Sequence, residues 1–312
     1  MGPRPANPNL PPVPLIDGAK TVETSPDMNR ITARYTERAV KFIRDHKAGP
    51  FFVYVPHTMS HVPLGASDQF RGKSKAGLYG DVIEEIDWSV GEILATLKKQ
   101  GLEQNTLVMF SSDNGPWFQG SPGKLRGRKG VTFDGGVRVP FIARMPGKVK
   151  KGVVCDAVGS TMDVLPTVAK LTGAKLPAAP LDGVDLWPLL SGQKREHERE
   201  ALLYFDSWDL QCARLGRYKL HVARYNSFIY GPAPAAGRVN LPLRPPELYD
   251  MVADPDESFD VADKHPEVVR DILARIERLL PAFPEPVKKA WSETQARKTR
   301  PHEPGRLPVV AQ

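Results

Sequence analysis

The stretch GLYGDVIEEIDWSVGEILATLKKQGLEQNTLVMFSSDNGPW, residues 77–117, decides the fold class of this chain. Its apolar residues from Val82 to Leu97 recur at the spacing of one buried helical face, which predicts a helix over about 81–99. The apolar run TLVMFS at 106–111 then predicts a buried strand that leads directly into an Asp-Asn-Gly turn.

A second apolar run, FFVYVP at 51–56, precedes this helix and also predicts a strand. Strand, helix and strand form a βαβ unit, whose two strands lie parallel. The loops that follow both strands then leave the sheet at its carboxyl edge, where open α/β sheets bind ligands. We therefore expect His57, His61, Asp113 and Asn114 to lie close together.

The remaining patterns complete an α/β chain with a different C-terminal part. Helical spacing predicts helices at 30–45 and 161–173, the latter capped by Thr161 or Asp163, and VPFIARMP at 139–146 predicts a strand. After about residue 200, short strand candidates precede an amphipathic helix at 265–280, which predicts a small antiparallel sheet with a covering helix.

Four segments follow from this organisation. The chain begins with an extended proline-rich segment and ends in a proline-rich, charged tail that either wraps the surface or is disordered. The predicted segments are 1–29 (extended), 30–197 (α/β domain), 198–283 (antiparallel subdomain) and 284–312 (tail).

The amino-acid composition limits the kinds of ligand and environment that suit this chain. Lysine and arginine number 43 against 36 aspartates and glutamates, a net charge of +7 that either attracts anions or only aids solubility. The basic residues do not interleave with aromatics in a stripe, which argues against a nucleic-acid partner. No apolar run reaches the ~20 residues of a membrane helix. Cys155 and Cys212 show no paired spacing, which indicates buried or incidental cysteines.

Two short motifs carry candidate ligands. In SSDNGPW, Asp113 and Asn114 offer the hard oxygens that suit Ca²⁺ or Mg²⁺, although Asn-Gly is also a common turn pair. In HTMSH, His57 and His61 have the spacing of a zinc pair only on a helix, and the flanking prolines argue against one. A histidine there suits anion binding or protonation of a leaving group, or is a plain surface residue.

The segment GKLRGRKGVTFDGGVRVPF, residues 123–141, is called here the basic loop. Its glycines allow close backbone approach, and it lacks the GxxxxGK[ST] spacing of a phosphate-binding loop. A small anionic group would suit it, and a solvated basic loop is the alternative. The positive charge for such an anion would come from Lys124, Arg126, Arg128 and Lys129.

Taken in order, these segments resemble consecutive blocks of the arylsulfatase-type sulfatases of the alkaline-phosphatase superfamily. The blocks are FFVYVPHTMSHVPL, the 77–117 stretch and LRGRKGVTFDGGVRVPFIARMPG, followed by CDAVGSTMDVLPTVAKLTG and LYDMVADPDESFD. The resemblance runs from about Arg30 to Leu280. It implies a partial alkaline-phosphatase-like α/β fold, with a mostly parallel sheet flanked by helices, and hydrolysis of sulfate esters such as aryl sulfates or sulfated glycans.

The resemblance also implies roles for individual residues. In that family a cysteine in C-x-P-S-R becomes formylglycine, whose hydrate attacks sulfur beside a divalent cation, usually Ca²⁺ with Mg²⁺ as the alternative. By position, Asp113 and Asn114 match two metal ligands, and Lys129 matches the lysine that contacts the sulfate. His61 matches the histidine on the leaving-group side, whereas His57 has no assigned role.

The sequence departs from the family at the nucleophile. Neither Cys155 nor Cys212 lies in C-x-P-S-R, and the family's early metal-binding aspartates have no match. The simplest account is a truncated or mis-started reading frame in which Met1 is internal and the formylglycine lies further upstream, so the chain alone is expected to be inactive. Family members are commonly exported or lysosomal, but MGPRPANPNLPPVPL has no apolar export core, which leaves the compartment open.

Two alternatives remain at this stage. A related phosphatase or phosphonate hydrolase would use a similar metal site with a different nucleophile. A non-catalytic module would keep only the anion-binding residues and bind sulfated glycans.

Overall fold

The structure is a computed structural model that describes residues 12–196, 199–235, 237–300 and 302–310. The first part of the predicted extended segment, residues 1–11, lies outside the described residues. The chain forms two compact units, the first from Met1–Val108 with Arg144–Lys148 and the second from Met109–Ala143 with Val149–Gln312. The four segment boundaries predicted from the sequence remain a prediction.

The first unit contains one hairpin and two long helices. The antiparallel hairpin pairs β1 (Pro14–Asp17) with β2 (Lys20–Thr24), and the helices are α1 (Ile31–Asp45) and α2 (Gly77–Lys99). Both helices confirm the sequence prediction, because their periodic apolar residues are largely buried.

Residues 51–56 differ from the prediction, because FFVYVP has no regular secondary structure. Phe52 and Tyr54 are 69% and 78% exposed. A β-strand exists only where a neighbouring strand supplies its hydrogen bonds, and none in the described part of the chain pairs with this run. The prediction of a strand here, and of a βαβ unit built on it, is wrong.

Two strands and several short helices follow, and apart from the strand ends Val108 and Arg144 they belong to the second unit. Its first strands are paired with each other: β3 (Val108–Ser111) and β4 (Phe141–Arg144). The helices that lie between β3 and the C-terminal sheet are α3 (Asp134–Val137), α4 (Val164–Thr172) and α5 (Trp187–Leu190). Helix α4 lies where the sequence predicted one, and its N-cap position is Asp163, one of the two predicted residues, although this side chain does not cap α4. Ser160 caps the 3-10 turn Thr161–Asp163 directly before it, in a capping box with Asp163.

The C-terminal part is a four-stranded antiparallel sheet covered by helices, as the sequence predicted. The strands, in sheet order, are β5 (Leu202–Asp206), β6 (Asp209–Leu215), β7 (Tyr218–Tyr225) and β8 (Asn240–Asp250). The covering helices are α6 (Pro266–Leu279) and α7 (Glu285–Ala296). The core between sheet and helices contains Leu210, Leu220, Leu248, Ile272, Ile276 and Val287.

Helix α7 lies within the tail from residue 284, which the sequence predicted either to wrap the surface or to be disordered. Val287 on this helix is buried in the same core as the sheet. Burial of an apolar side chain stabilises the helix that carries it, in spite of the local density of proline and charge. Within the described residues, no helix combines the length and apolar character needed to cross a membrane.

Candidate functional site

The Asp-Asn-Gly turn after β3 is fixed by backbone contacts within the second unit. The Gly115 N–H donates to the Gly136 carbonyl oxygen at 2.8 Å. A β-carbon on Gly115 would lie 2.0 Å from the Gly135 carbonyl oxygen, so only glycine allows this approach. The close packing predicted for the glycines of the basic loop is therefore present, and it places the turn against that loop.

The turn presents two oxygen ligands on consecutive residues. Asp113 is exposed and Asn114 is partly buried. The Asn114 amide nitrogen donates to the Gly115 carbonyl oxygen at 3.0 Å, and Asp113 Oδ1 accepts a long bond from Ser112 Oγ at 3.4 Å. Within the described residues, Asp113 Oδ2 and Asn114 Oδ1 have no hydrogen-bond partner.

These two oxygens fit part of the shell of a hard divalent cation. Ca²⁺ takes about 6–8 oxygen ligands, so a carboxylate and an amide account for only a share of them. Among the described residues, no group of three or more histidine, cysteine, aspartate or glutamate side chains is arranged to hold a metal. Metal binding by Asp113 and Asn114 therefore stays a prediction.

The four basic side chains at residues 124–129 of the basic loop divide into two pairs. Arg126 Nη1 donates to the Glu257 carbonyl oxygen at 2.9 Å, and its guanidinium lies 4.3 Å from the centre of the Phe133 ring. Arg128 Nη1 donates to the carbonyl oxygens of two residues after the turn, Trp117 at 2.9 Å and Gly120 at 2.7 Å. Both arginines therefore brace the loop.

The two lysines of the basic loop have no such role. Lys124 is exposed and Lys129 is partly buried, and neither ammonium has a hydrogen bond or ion pair within the described residues. The backbone N–H of Lys129 donates to the Pro116 carbonyl oxygen at 3.0 Å. The structure thus brings the backbone of Lys129 beside the turn that carries Asp113 and Asn114, as an anion site at this place requires.

A buried charge cluster, formed by Asp134, Lys219, His221 and Glu257, holds the far end of the basic loop. Lys219 Nζ donates to the Thr132 carbonyl oxygen at 2.7 Å and to Asp134 Oδ1 at 2.9 Å, and it lies 3.2 Å from Glu257 Oε2. The Asp134 N–H donates to Glu257 Oε1 at 2.6 Å. The cluster therefore ties residues 132–134 to strand β7.

Mutual attraction favours the charged forms of Lys219, His221 and Glu257 in the buried charge cluster. Burial would raise the pKa of Glu257, but the Lys219 ammonium and the hydrogen bond from His221 lower it to about 2. Burial would lower the pKa of Lys219, whereas Glu257 and Asp134 raise it above its ordinary value. The pKa of His221 is also raised, because Cys212 and Glu257 outweigh its burial.

Sequence reasoning missed this cluster, although β7 carries a signal for it. Lys219 and His221 alternate with Leu220 and Val222, so the two titratable side chains share one face of the strand and the apolar ones share the other. A lysine on a buried strand face indicates a carboxylate partner, because an unpaired buried charge is costly.

The two predicted histidines lie in the first unit. His61 is exposed, and its Nδ1 lies 2.8 Å from the Val62 carbonyl oxygen. His57 is partly buried, with Nε2 at 3.4 Å from Ser89 Oγ and with Nδ1 unpartnered within the described part of the chain. Burial lowers the pKa of His57, which favours the neutral ring. The expected meeting of the histidines with Asp113 and Asn114, and the role of His61, remain predictions.

Comparison with known proteins gives two adjoining family matches. The sulfatase family profile matches residues 4–174, and the profile for the C-terminal region of aryl-sulfatase matches residues 197–305. Bovine arylsulfatase A (Bos taurus) is 35% identical over 286 residues, which cover 86% of this chain and 56% of that protein. Mouse steryl-sulfatase (Mus musculus) is 34% identical over 304 residues, covering 89% and 47%. The chain thus spans about half the length of the curated relatives it matches.

A solved structure supports the fold. It comes from work on the metabolism of multiple glycosaminoglycans by Bacteroides thetaiotaomicron, and it matches with a TM-score of 0.68 at 31% identity over 85% of this chain and 59% of that one. This likeness confirms the predicted alkaline-phosphatase-like α/β fold with its C-terminal antiparallel sheet and helices.

Proposed function

Because this chain belongs to the sulfatase family, we propose that it supplies the metal-binding and sulfate-binding residues of a hydrolase that cleaves sulfate esters. One observation carries the proposal. The backbone bonds from Gly115 to Gly136 and from Lys129 to Pro116 hold a carboxylate, an amide oxygen and a lysine on adjoining backbone segments. The ammonium of this lysine has no partner among the described residues. This set of groups suits a cation together with an oxyanion.

Each residue has a distinct part in this proposal. Asp113 and Asn114 hold a divalent cation, Ca²⁺ before Mg²⁺, which when bound supplies positive charge against the sulfate oxygens. The Lys129 ammonium binds one sulfate oxygen and offsets the charge that develops there during transfer. His61 protonates the ester oxygen of the leaving alcohol, a role for which its exposed ring is suited.

The nucleophile lies outside these residues in our proposal. The 312 residues contain no C-x-P-S-R, so no cysteine here is a candidate for formylglycine. We therefore expect the chain alone not to turn over a chromogenic aryl sulfate above the rate of a His61→Ala control. Turnover clearly above that control would contradict this part of the proposal.

Binding tests the rest of the proposal directly. Calorimetric titration of the 312-residue chain with Ca²⁺, and then with inorganic sulfate at saturating Ca²⁺, measures both ligands. We expect Asp113→Ala to abolish Ca²⁺ binding and Lys129→Met to weaken sulfate binding by at least ~tenfold, the loss of one charge-assisted contact. Lys124→Met is the matched control, since Lys124 is an unpaired lysine of the same loop and its loss should leave both affinities unchanged. Equal effects of the two lysine variants would refute a localised site.

A non-catalytic module that binds sulfated glycans is the second candidate. The two unpaired lysines and the net charge of +7 favour anion binding whether or not catalysis follows. Sequencing the DNA immediately before the Met1 codon separates the candidates. An in-frame C-x-P-S-R would support the hydrolase, and a stop codon directly before Met1 would support the module.

A further inference from the structure

An exposed group of aromatic side chains, called here the aromatic cluster, lies beside the candidate anion site in the second unit. It consists of Trp117, Phe118 and Tyr230, which are 38%, 57% and 37% exposed. The ring centres lie 4.9 Å apart for Trp117 and Phe118, 6.0 Å for Trp117 and Tyr230, and 5.5 Å for Phe118 and Tyr230, all in edge-to-face geometry. Three large rings therefore meet at a surface that retains access to solvent.

Several contacts hold the rings of the aromatic cluster in place. The Arg128 guanidinium lies 5.3 Å from the centre of the Phe118 ring while it donates to the Trp117 carbonyl oxygen. Phe228 stacks on Tyr230 with parallel rings 5.5 Å apart. These contacts order the rings before any ligand arrives, which lowers the entropic cost of binding.

A glycine of the basic loop brings the second segment of the cluster into place. Gly130 has φ +93° and packs so closely on Ile229 that a β-carbon would lie 2.7 Å from Ile229 Cγ2. The segment with Ile229 and Tyr230 therefore lies directly on the basic loop, one residue after Lys129.

The first segment of the cluster is joined to the same lysine. Pro116 accepts the backbone hydrogen bond of Lys129, and Trp117 and Phe118 follow it in the chain. The backbone of Lys129 is thus linked to both segments of the aromatic cluster, by its hydrogen bond to Pro116 and through the packing of Gly130 on Ile229. An anion-binding group and a preformed apolar surface are the two halves of a site for an amphiphilic anion.

We propose that the aromatic cluster binds the organic ring of the sulfate ester whose sulfate group is bound at Lys129. The ligand class is a sulfate monoester of a ring with a flat apolar face, either an aryl ring that stacks on the cluster or a sugar ring that presents its C–H face. The assignment rests on the proposed function for Lys129, and it makes Trp117, Phe118 and Tyr230 residues that determine specificity.

The experiment compares three ligands on the 312-residue chain at saturating Ca²⁺. The probes are 2-naphthyl sulfate, galactose 6-sulfate and inorganic sulfate, with affinities from calorimetry and contact reported by the Trp117 indole N–H signal in NMR spectra. The variants are Trp117→Ala and Phe118→Ala. The matched control is Trp208→Ala, since Trp208 is 53% exposed and lies outside the cluster.

We expect one ring-bearing ester to bind ~tenfold more tightly than inorganic sulfate, as an aromatic contact provides. Trp117→Ala and Phe118→Ala should each remove most of that difference, with unchanged affinity for inorganic sulfate, and Trp208→Ala should have no effect. A preference for 2-naphthyl sulfate identifies aryl esters as the source of the ring, and a preference for galactose 6-sulfate identifies sugar esters.

Equal affinities for all three ligands would overturn the inference and leave the proposed function intact. A loss of inorganic sulfate binding in Trp117→Ala that matches the loss of the esters would also overturn it, because the cluster would then only support the loop. If inorganic sulfate does not bind at all but uncharged 2-naphthol binds and depends on Trp117, the proposed function fails, and the link between the cluster and sulfate fails with it.

Discussion

Removal of the Lys219 ammonium should destabilise the second unit more than the loss of any exposed charge. Lys219 is fully buried and has the Thr132 carbonyl oxygen and the carboxylates of Asp134 and Glu257 within 3.2 Å of its nitrogen. The substitution Lys219→Met keeps an apolar stem of similar length and removes the charge. It leaves two buried carboxylates that are only partly compensated, because Asp134 keeps Arg214 at 3.4 Å and Glu257 keeps His221 at 2.6 Å.

Two routes give similar magnitudes for this cost. Breaking a buried ion pair by removal of one partner costs roughly 3–5 kcal/mol. Against the effect of burial, Lys219, His221 and the Asp134 N–H together lower the pKa of Glu257 from its ordinary 4.5 to about 2. At ~1.36 kcal/mol for each pH unit this corresponds to roughly 3 kcal/mol, an upper value for the share of Lys219. Since the pKa of Glu257 is lower in the folded state, this stability is present above pH 4.5 and is lost as the pH falls toward 2.

Urea unfolding followed by circular dichroism measures the effect. At pH 7 we expect Lys219→Met to lose roughly 3 kcal/mol of unfolding free energy, and we expect the loss to shrink between pH 4.5 and 2 as Glu257 is protonated. Lys124→Met, which removes an exposed lysine, should change stability by no more than ~0.5 kcal/mol. A loss below ~1 kcal/mol at pH 7, or one that does not depend on pH, would refute the reasoning.

Three further predictions test the packing. Gly115→Ala should cost ~1–3 kcal/mol from overpacking and weaken Ca²⁺ binding in calorimetry, because its β-carbon would lie 2.0 Å from a carbonyl oxygen; Gly91→Ala, with open space around it, is the control. Glu247→Gln should lower the melting temperature at pH 7 and not near pH 2, since the pKa of this buried carboxyl is lowered to about 2. Ile276→Ala in the fully buried core should cost ~2–5 kcal/mol in urea unfolding, while Val252→Ala, 69% exposed, should have no measurable effect.

The sequence predicted best those elements whose cause is local. Helices α1 and α2 follow from apolar residues at helical spacing, and the C-terminal sheet follows from short alternating runs. The run at 51–56 has the composition of a strand, yet composition cannot supply the partner that a strand needs. Helix α7 was not predicted, because its stability comes from the burial of Val287 against residues distant in the chain.

In the candidate site, too, the features with a local cause were predicted and those that depend on distant residues were not. Asp113, Asn114 and Lys129 stand in motifs that are readable from the sequence, and the glycines of the basic loop correctly indicated close backbone approach. The buried charge cluster was not readable in the same way, because the hydrogen bond from Lys219 to Asp134 joins residues 85 positions apart. Sequence alternation in β7 marks Lys219 as unusual, but only the fold identifies its carboxylates.

The arginines of the basic loop explain why a count of its charges is a poor guide to its ligand. A guanidinium donates several hydrogen bonds in a fixed plane, and Arg128 uses this geometry to hold two carbonyl oxygens at once. An ammonium is a compact point charge, and those of Lys124 and Lys129 remain without a partner among the described residues. Of these two lysines, Lys129 is the one whose backbone N–H donates to Pro116, directly after the Asp-Asn-Gly turn. In our proposal the site therefore uses one ammonium for one small oxyanion and is not a surface for a polyanion. Under this proposal, the aromatic cluster is the feature that we expect to distinguish one sulfate ester from another.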